Sequence, residues 1–93
     1  MVLLDLLGRR WTLRIVWELR DGPHTFRALQ QRCEEVSPTL LNGRLRELRG
    51  YGLVGHDDDG YALTSAGGEL ARQLLGLDAW AGKWARGRRG DPG

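Results

Sequence analysis

Thr39, Asn42, Gly43, Arg46 and Arg49 recur at steps of three and four along "VSPTLLNGRLRELRGYGLV", residues 36–54. A period of 3.6 residues gathers them on one side of a helix, while Leu41, Leu45 and Leu48 share an arc of about 60° on the other. Each residue type has a defined use at a nucleic acid. The Asn42 amide offers a donor and an acceptor together, the pair an adenine edge requires, and the planar fork of Arg46 matches guanine. Thr39 suits a thymine methyl or a phosphate, and Gly43, lacking a side chain, lets the backbone approach closely. Arg49, a turn further on, is better placed for a phosphate. The bland alternative is a solvated amphipathic helix, because Arg and Asn are common on exposed faces. The neighbouring elements decide between the two.

Other reactive side chains form no constellation. His24 and His56 are isolated from each other and from any ligand-spaced partner. Ser37 and Ser65 occupy helix-start contexts without a nucleophile motif. Asp57, Asp58 and Asp59 are consecutive, lack the alternating spacing of a calcium loop and are followed by Gly68 where its final Glu would stand. The lone Cys33 excludes an internal disulfide and a multi-cysteine zinc site, and its flanking Arg32, Glu34 and Glu35 pull its pKa in opposite directions. A buried, inert thiol is the expectation. Neither catalysis, a metal nor a cofactor is indicated.

The elements that would position the polar face follow from periodicity and turn residues. Residues 2–7 form a short apolar helix broken at Gly8. In "RRWTLRIVWELR", Trp11, Ile15 and Leu19 share one face while Leu13 and Trp17 lie opposite, so this helix is sandwiched on two sides. Asp21-Gly22-Pro23 stops it, with Gly22 suited to the left-handed cap position. Thr25 caps "FRALQQRC", which turns Phe26 and Leu29 inward. Ser37 caps the next helix, with Pro38 at its first position and an end near Arg49 to Gly52. "LVGHDDDGYALT" reads as two strands around an Asp59-Gly60 turn. Thr64 caps a last helix with a coiled-coil-like stripe of Leu70, Leu74, Leu77, Ala81 and Trp84. Residues 86–93, "RGRRGDPG", carry no apolar anchor and read as a flexible basic tail. Two short helices joined by a tight turn and followed by a hairpin describe a winged helix-turn-helix: one mainly α domain over residues 1–85 with a small β wing.

In that frame the outward face of the Ser37 helix enters a DNA major groove, with Thr25 and Arg27 joining Ser37 and Arg49 at the backbone. Charge agrees in distribution more than in sum. The chain of 93 residues has 14 Lys plus Arg against 12 Asp plus Glu, a formal +2. Residues 1–50 hold nine basic and six acidic side chains, residues 51–93 five and six, and only Lys83 among the cations is not Arg. A GC-rich genome also favours Arg codons. The apolar fraction of 41 % is that of a globular domain, and the opening "MVLLDLLGRRW" is too short for a signal core or a membrane span. A cytoplasmic protein that avoids the membrane is expected.

The pieces Gly8-x-x-Trp11-Thr12, Asp21-Gly22-Pro23, Phe26 to Leu29, Ser37-Pro38, Arg44-Leu45-Arg46-Glu47-Leu48, Gly52-Leu53-Val54 and Leu63-Thr64 resemble the HxlR-type winged-helix regulators, relatives of the MarR group. The resemblance spans most of residues 3–84 and implies a dimeric bacterial or archaeal transcription regulator. It further implies that the terminal helices form the dimer contact and that the third core helix reads a pseudo-palindromic operator. Leu4, Leu7, Trp11, Trp17, Leu74, Leu77, Trp80 and Trp84 are the expected interface. Four tryptophans exceed what so small a core can house, which points the same way. An aromatic-lined crevice there leaves room for a small-molecule effector.

Two departures bear on function. The wing, "GHDDDGY", is shorter than usual in the family and acidic where phosphates would lie. No cysteine precedes the first helix, so redox sensing of the kind seen in the family does not carry over. The competing expectation is a winged-helix module that binds a protein or a small aromatic ligand and has lost strong DNA affinity.

Overall fold

The structure, a computed structural model, describes the backbone of residues 2–90 and the side chains of residues 3–88. Its order is α1 Val2–Leu7, α2 Thr12–Glu18, α3 Phe26–Arg32, α4 Pro38–Gly50, β1 Val54–Asp57, β2 Gly60–Leu63 and α5 Ser65–Gly90. The strands pair antiparallel, Val54 opposite Leu63 and Asp57 opposite Gly60. This is the mainly helical domain with a two-stranded wing that the periodicities predict.

The core lies where α2, α3 and α4 meet under the hairpin. Ile15, Val16 and Leu19 from α2 and its C-cap, Leu29 and Cys33 around α3, and Leu41, Leu45 and Leu48 from α4 are almost wholly buried. Each leucine of the α4 ridge contributes about 1.5–3 kcal/mol by leaving water. The caps expected for these helices form as read. The Thr25 hydroxyl accepts from the Ala28 N–H at 3.1 Å, and the Ser37 hydroxyl from the Leu40 N–H at 3.1 Å.

Several local details differ from the sequence reading. Helix α2 ends at Glu18, with Leu19 its C-cap at an ordinary φ of −91°. Gly22 has a positive φ of 143°, but it serves the turn toward His24 and is not the helix cap. Trp11 does not sit on the α2 face. It is the N-cap residue, held at φ 75°, and its ring packs on the core. In the hairpin Asp58 and Asp59 fill the two central turn positions, so Asp59-Gly60 is not the central pair. The Asp57 carboxylate accepts from the Asp59 N–H at 2.8 Å, which sets the turn with negative φ, and only Gly60 takes a positive value, 112°. At Gly60 a side chain would collide with the His24 carbonyl. His24 and Tyr61 exchange backbone hydrogen bonds of 2.9 and 2.8 Å there, which pins the wing to the segment leading into α3.

Helix α5 starts under tight control. The Thr64 hydroxyl accepts from the Gly67 N–H at 3.1 Å and donates to the Gly52 carbonyl at 2.6 Å. Gly67 is fully enclosed, and a Cβ on it would overlap the Leu53 carbonyl. Leu70, Ala71 and Leu74 continue onto the core. The helix then leaves the domain and runs to Gly90, so residues 86–90 have helical backbone where a tail is expected; residues 91–93 lie outside the described part. Poor apolar anchoring does not end a helix whose preceding turns are already formed, because propagation adds one hydrogen bond per residue.

Candidate nucleic-acid interface

Helix α4 is held by its leucine ridge, its N-terminal cap and one flank, and what remains free is its polar face. Leu41, Leu45 and Leu48 are 0–1 % exposed. Thr39, Asn42, Arg46 and Arg49 are exposed, and Gly43 among them is half-buried with open space where a side chain would be. No acidic residue occupies the first turn of α4, so the positive end of its macrodipole is not neutralised by a side chain of its own. Ser37 is exposed beside that end with its hydroxyl engaged as the cap.

The flank contact is absent from the sequence reading. Arg44 donates to the Arg10 carbonyl at 2.8 Å and to Glu47 at 3.1 Å, and Glu47 lies 3.3 Å from Arg9. These groups tie the loop between α1 and α2 to the flank of α4 between its buried and free faces. The one local signal was the Arg44–Glu47 spacing of three, which any exposed helix also carries. Arg44 is therefore an architectural side chain, unlike Arg46 two residues on.

At α3, Thr25 is exposed with its hydroxyl in use as cap, and the exposed Arg27 lies 3.0 Å from Glu35 and donates to Gln30 at 2.9 Å. Glu34 and Glu35, in the turn to α4, have φ of 60° and 58°, the left-handed region that non-glycine residues rarely adopt. Gln30, almost fully buried, donates to the Val36 carbonyl at 2.9 Å and fastens that turn from inside. Cys33, the α3 C-cap, is completely buried; burial pushes its thiol pKa up, with Arg14 opposing and Glu18 and Glu34 adding to the rise. The thiol is the inert kind expected, though the opposing cation is Arg14 and not the adjacent Arg32. Asp57, Asp58 and Asp59 are all exposed at the wing tip, while His56 stacks on Tyr61 with ring centroids 4.1 Å apart. No group of three or more candidate metal ligands occurs among the described residues.

The residues expected at a subunit contact divide into two sets. Leu4, Leu77, Trp80 and Trp84 are 50–64 % exposed, and Trp80 and Trp84 stack with centroids 6.0 Å apart on the projecting part of α5. Trp11 and Leu74 pack on the chain's own core, while Leu7 and Trp17 are half-buried. Between α2 and α5 runs an open groove of about 290 Å³, lined by Leu13, Arg14, Trp17, Leu74, Leu77, Asp78 and Ala81. Arg14 reaches out of it to Glu18 at 2.8 Å and to the Arg32 carbonyl at 2.8 Å. The Glu18 hydrogen bond, ahead of the smaller effects, raises the Arg14 pKa and keeps it protonated.

A helix-turn-helix with a hairpin behind it and a free polar flank on its second helix defines a winged helix-turn-helix protein. The sequence profile of the HxlR-like helix-turn-helix family matches residues 6–89, and the chain belongs to that family of transcription regulators, which are not enzymes. It is 32 % identical over 88 residues to YvaP of Bacillus subtilis, an uncharacterised HTH-type transcriptional regulator, covering 87 % of this chain and 82 % of YvaP. The crystal structure of quinone-bound YodB from B. subtilis superposes with a TM-score of 0.80 at 31 % identity, over 88 % of this chain and 92 % of that one. A possible HxlR family transcription factor from Thermoplasma volcanium gives a TM-score of 0.79 at 28 % identity, over 89 % and 81 %. No described helix is long and apolar enough to cross a membrane.

Proposed function

We propose that the chain acts in the cytoplasm as a homodimeric, sequence-specific DNA-binding regulator whose α4 enters the major groove. The observation that carries this reading is the division of α4 into a fully buried leucine ridge and an exposed flank of Thr39, Asn42, Arg46 and Arg49. Asn42 and Arg46 discriminate bases, Thr39 meets a methyl or a phosphate, and Gly43 permits close approach. Thr25, Arg27, Ser37 and Arg49 set the register on phosphates. The dimer forms through α1 and the projecting part of α5, where Leu4, Leu77, Trp80 and Trp84 lie open, with Leu7, Trp11, Trp17 and Leu74 supporting them from beneath. Two copies of α4 then face successive major grooves about 34 Å apart on a pseudo-palindromic operator. Residues 1–85 form the functional domain and the basic residues beyond it add only non-specific attraction.

A mobility-shift titration on the DNA upstream of the chain's own gene, at two salt concentrations, tests this reading. A sequence preference with a steep salt slope is expected; no shift at low salt would remove it.

The exposed Asp57–Asp59 tip favours a second reading, in which the winged helix binds a small aromatic ligand or a protein and has little DNA affinity. The relative solved with quinone bound makes a small-molecule effector consistent with either reading.

A further inference from the structure

We infer that the loop between α1 and α2 is a second DNA-backbone contact, in which Arg10 grips the phosphate rim on the Glu47 side of α4. The inference rests on the DNA-binding reading and adds to it a residue outside the helix-turn-helix. At about 100° per residue, Arg49 stands roughly 60° to one side of Arg46, and Glu47 roughly 100° to the other. A major groove is about 12 Å wide, hardly more than a helix with its side chains, so whatever flanks a seated helix meets a phosphate rim. Arg49 serves one rim. On the other side α4 itself presents Glu47 and the half-buried Arg44, which are bonded to each other at 3.1 Å.

The loop supplies the cation for that rim. Arg44 donates to the Arg10 carbonyl at 2.8 Å and Arg9 lies 3.3 Å from Glu47, so residues 9 and 10 run along this flank beside positions 47 and 44. Three cations, Arg9, Arg10 and Arg44, gather around the one carboxylate of Glu47, and Glu47 engages only Arg9 and Arg44. The exposed Arg10 side chain has no hydrogen-bond or ion-pair partner among the described residues, so a phosphate takes it without breaking an existing contact. Its place is fixed all the same. The anchored atom is its own carbonyl, and the next residue, Trp11, is the core-packed N-cap of α2. A held backbone beneath an open guanidinium lowers the ordering cost of binding. The wing gives the contrast, because Asp57, Asp58 and Asp59 are exposed at its tip and repel a phosphate. The loop, not the wing, is the accessory backbone contact of this chain.

The test is a fluorescence-anisotropy titration of the full chain across a salt series, on the duplex upstream of its own gene and on a scrambled duplex. Arg10→Ala should weaken binding by the same factor on both and make the salt slope shallower by about 0.9 for each bound chain. Arg10→Lys should keep the original slope, since a point charge suffices for a phosphate. The thermal melt should persist, because alanine retains the carbonyl that Arg44 holds. If Arg10→Ala melts early, Arg10→Gln beside Arg10→Lys gives the same contrast with a longer side chain. A slope unchanged in Arg10→Ala, with the unaltered chain binding DNA, overturns the loop contact and leaves the α4 reading standing. An equal change in Arg86→Ala, on the exposed end of α5, reduces the effect to net charge and also overturns it. A loss confined to the upstream duplex makes Arg10 a base reader and overturns the phosphate assignment. No salt-dependent binding by the unaltered chain removes the DNA-binding reading itself, and this contact with it.

Discussion

The Arg27 guanidinium lies 3.0 Å from the Glu35 carboxylate across the turn that joins α3 to α4. Both side chains are more than half exposed, 63 % and 57 %, so the pair adds little to folding. In the proposed DNA complex its consequence is for binding, because a carboxylate beside an arginine set against a phosphate would cancel part of its field. Glu35→Gln should leave the melting temperature nearly unchanged and tighten binding to operator and random DNA alike, with a salt slope steeper by about one. Fluorescence-anisotropy titrations across a salt series check this. An unchanged slope would mean that Arg27 faces no phosphate.

The same turn holds Glu34 at φ 60° with no side-chain hydrogen bond among the described residues. A left-handed conformation costs a non-glycine residue about 1–2 kcal/mol. Glu34→Gly removes most of that cost but adds chain entropy to the unfolded state, which offsets part of the gain. The expected net effect is a stabilisation of about 0.5–1 kcal/mol in urea melts, with an unchanged m-value. A loss of stability would show that the carboxylate has a role its exposed position conceals.

Arg46→Ala separates reading from clamping. It should cost about 1–3 kcal/mol on the operator and relax one base position. Arg44→Ala should instead destabilise the fold, since Arg44 holds the Arg10 carbonyl and Glu47. Binding-site selection with each variant, beside its melting curve, distinguishes the two. Equal losses of Arg46→Ala on operator and random DNA would reassign Arg46 to a phosphate.

How far the sequence could carry such distinctions depends on the kind of signal. Leu41, Leu45 and Leu48 repeat within one helix, and Thr25, Ser37 and Thr64 cap the segments they begin, so local rules reach them. A helical wheel sets Arg44 beside the leucine arc and Arg46 opposite it, but it does not say what Arg44 meets there. Its partner is the Arg10 carbonyl, thirty-four positions away in the chain, and no local pattern encodes that contact. Trp11 departs from a helix-face position for the converse reason. Its spacing to Ile15 fits a helix face, but the chain enters α2 through a left-handed residue that tertiary packing imposes. The wing turn is a similar case, since the Asp57 side chain, not the Asp-Gly pair, organises it. Helix α5 runs on to Gly90 because composition describes anchoring and not propagation.

Cys33 gives a pH-dependent prediction. Its folded pKa is raised, chiefly by burial, so the neutral thiol is favoured in the native state. The associated stability is fully present below the unfolded thiol's pKa, about 8.5, and is lost as pH rises from there through the higher folded value. Cys33→Ala should flatten the decline of stability above that point while costing about 1–3 kcal/mol at neutral pH through the space it leaves. Alkylation of the native protein should be slow and should track global unfolding. Rapid modification in native buffer would contradict its burial.

Gly67 offers the sharpest structural test, because α5 and the strand approach meet there with no room for a methyl group. A Cβ would overlap the Leu53 carbonyl, a backbone group that cannot rotate aside, and would crowd Leu63 Cδ2 as well. The crowding matters beyond α5 itself. Leu53 also accepts from the Thr64 N–H at 3.1 Å, so displacing it would disturb the start of β1 and the end of β2 together. Gly67→Ala, a favourable exchange in an ordinary helix interior by up to about 1 kcal/mol, should here destabilise by about 1–3 kcal/mol. Gly76→Ala, on the exposed part of the same helix with open space at its Cβ, should show the ordinary favourable sign. Chemical denaturation of the two variants side by side reads the contrast. If both substitutions stabilise the protein, α5 does not press against Leu53 in solution.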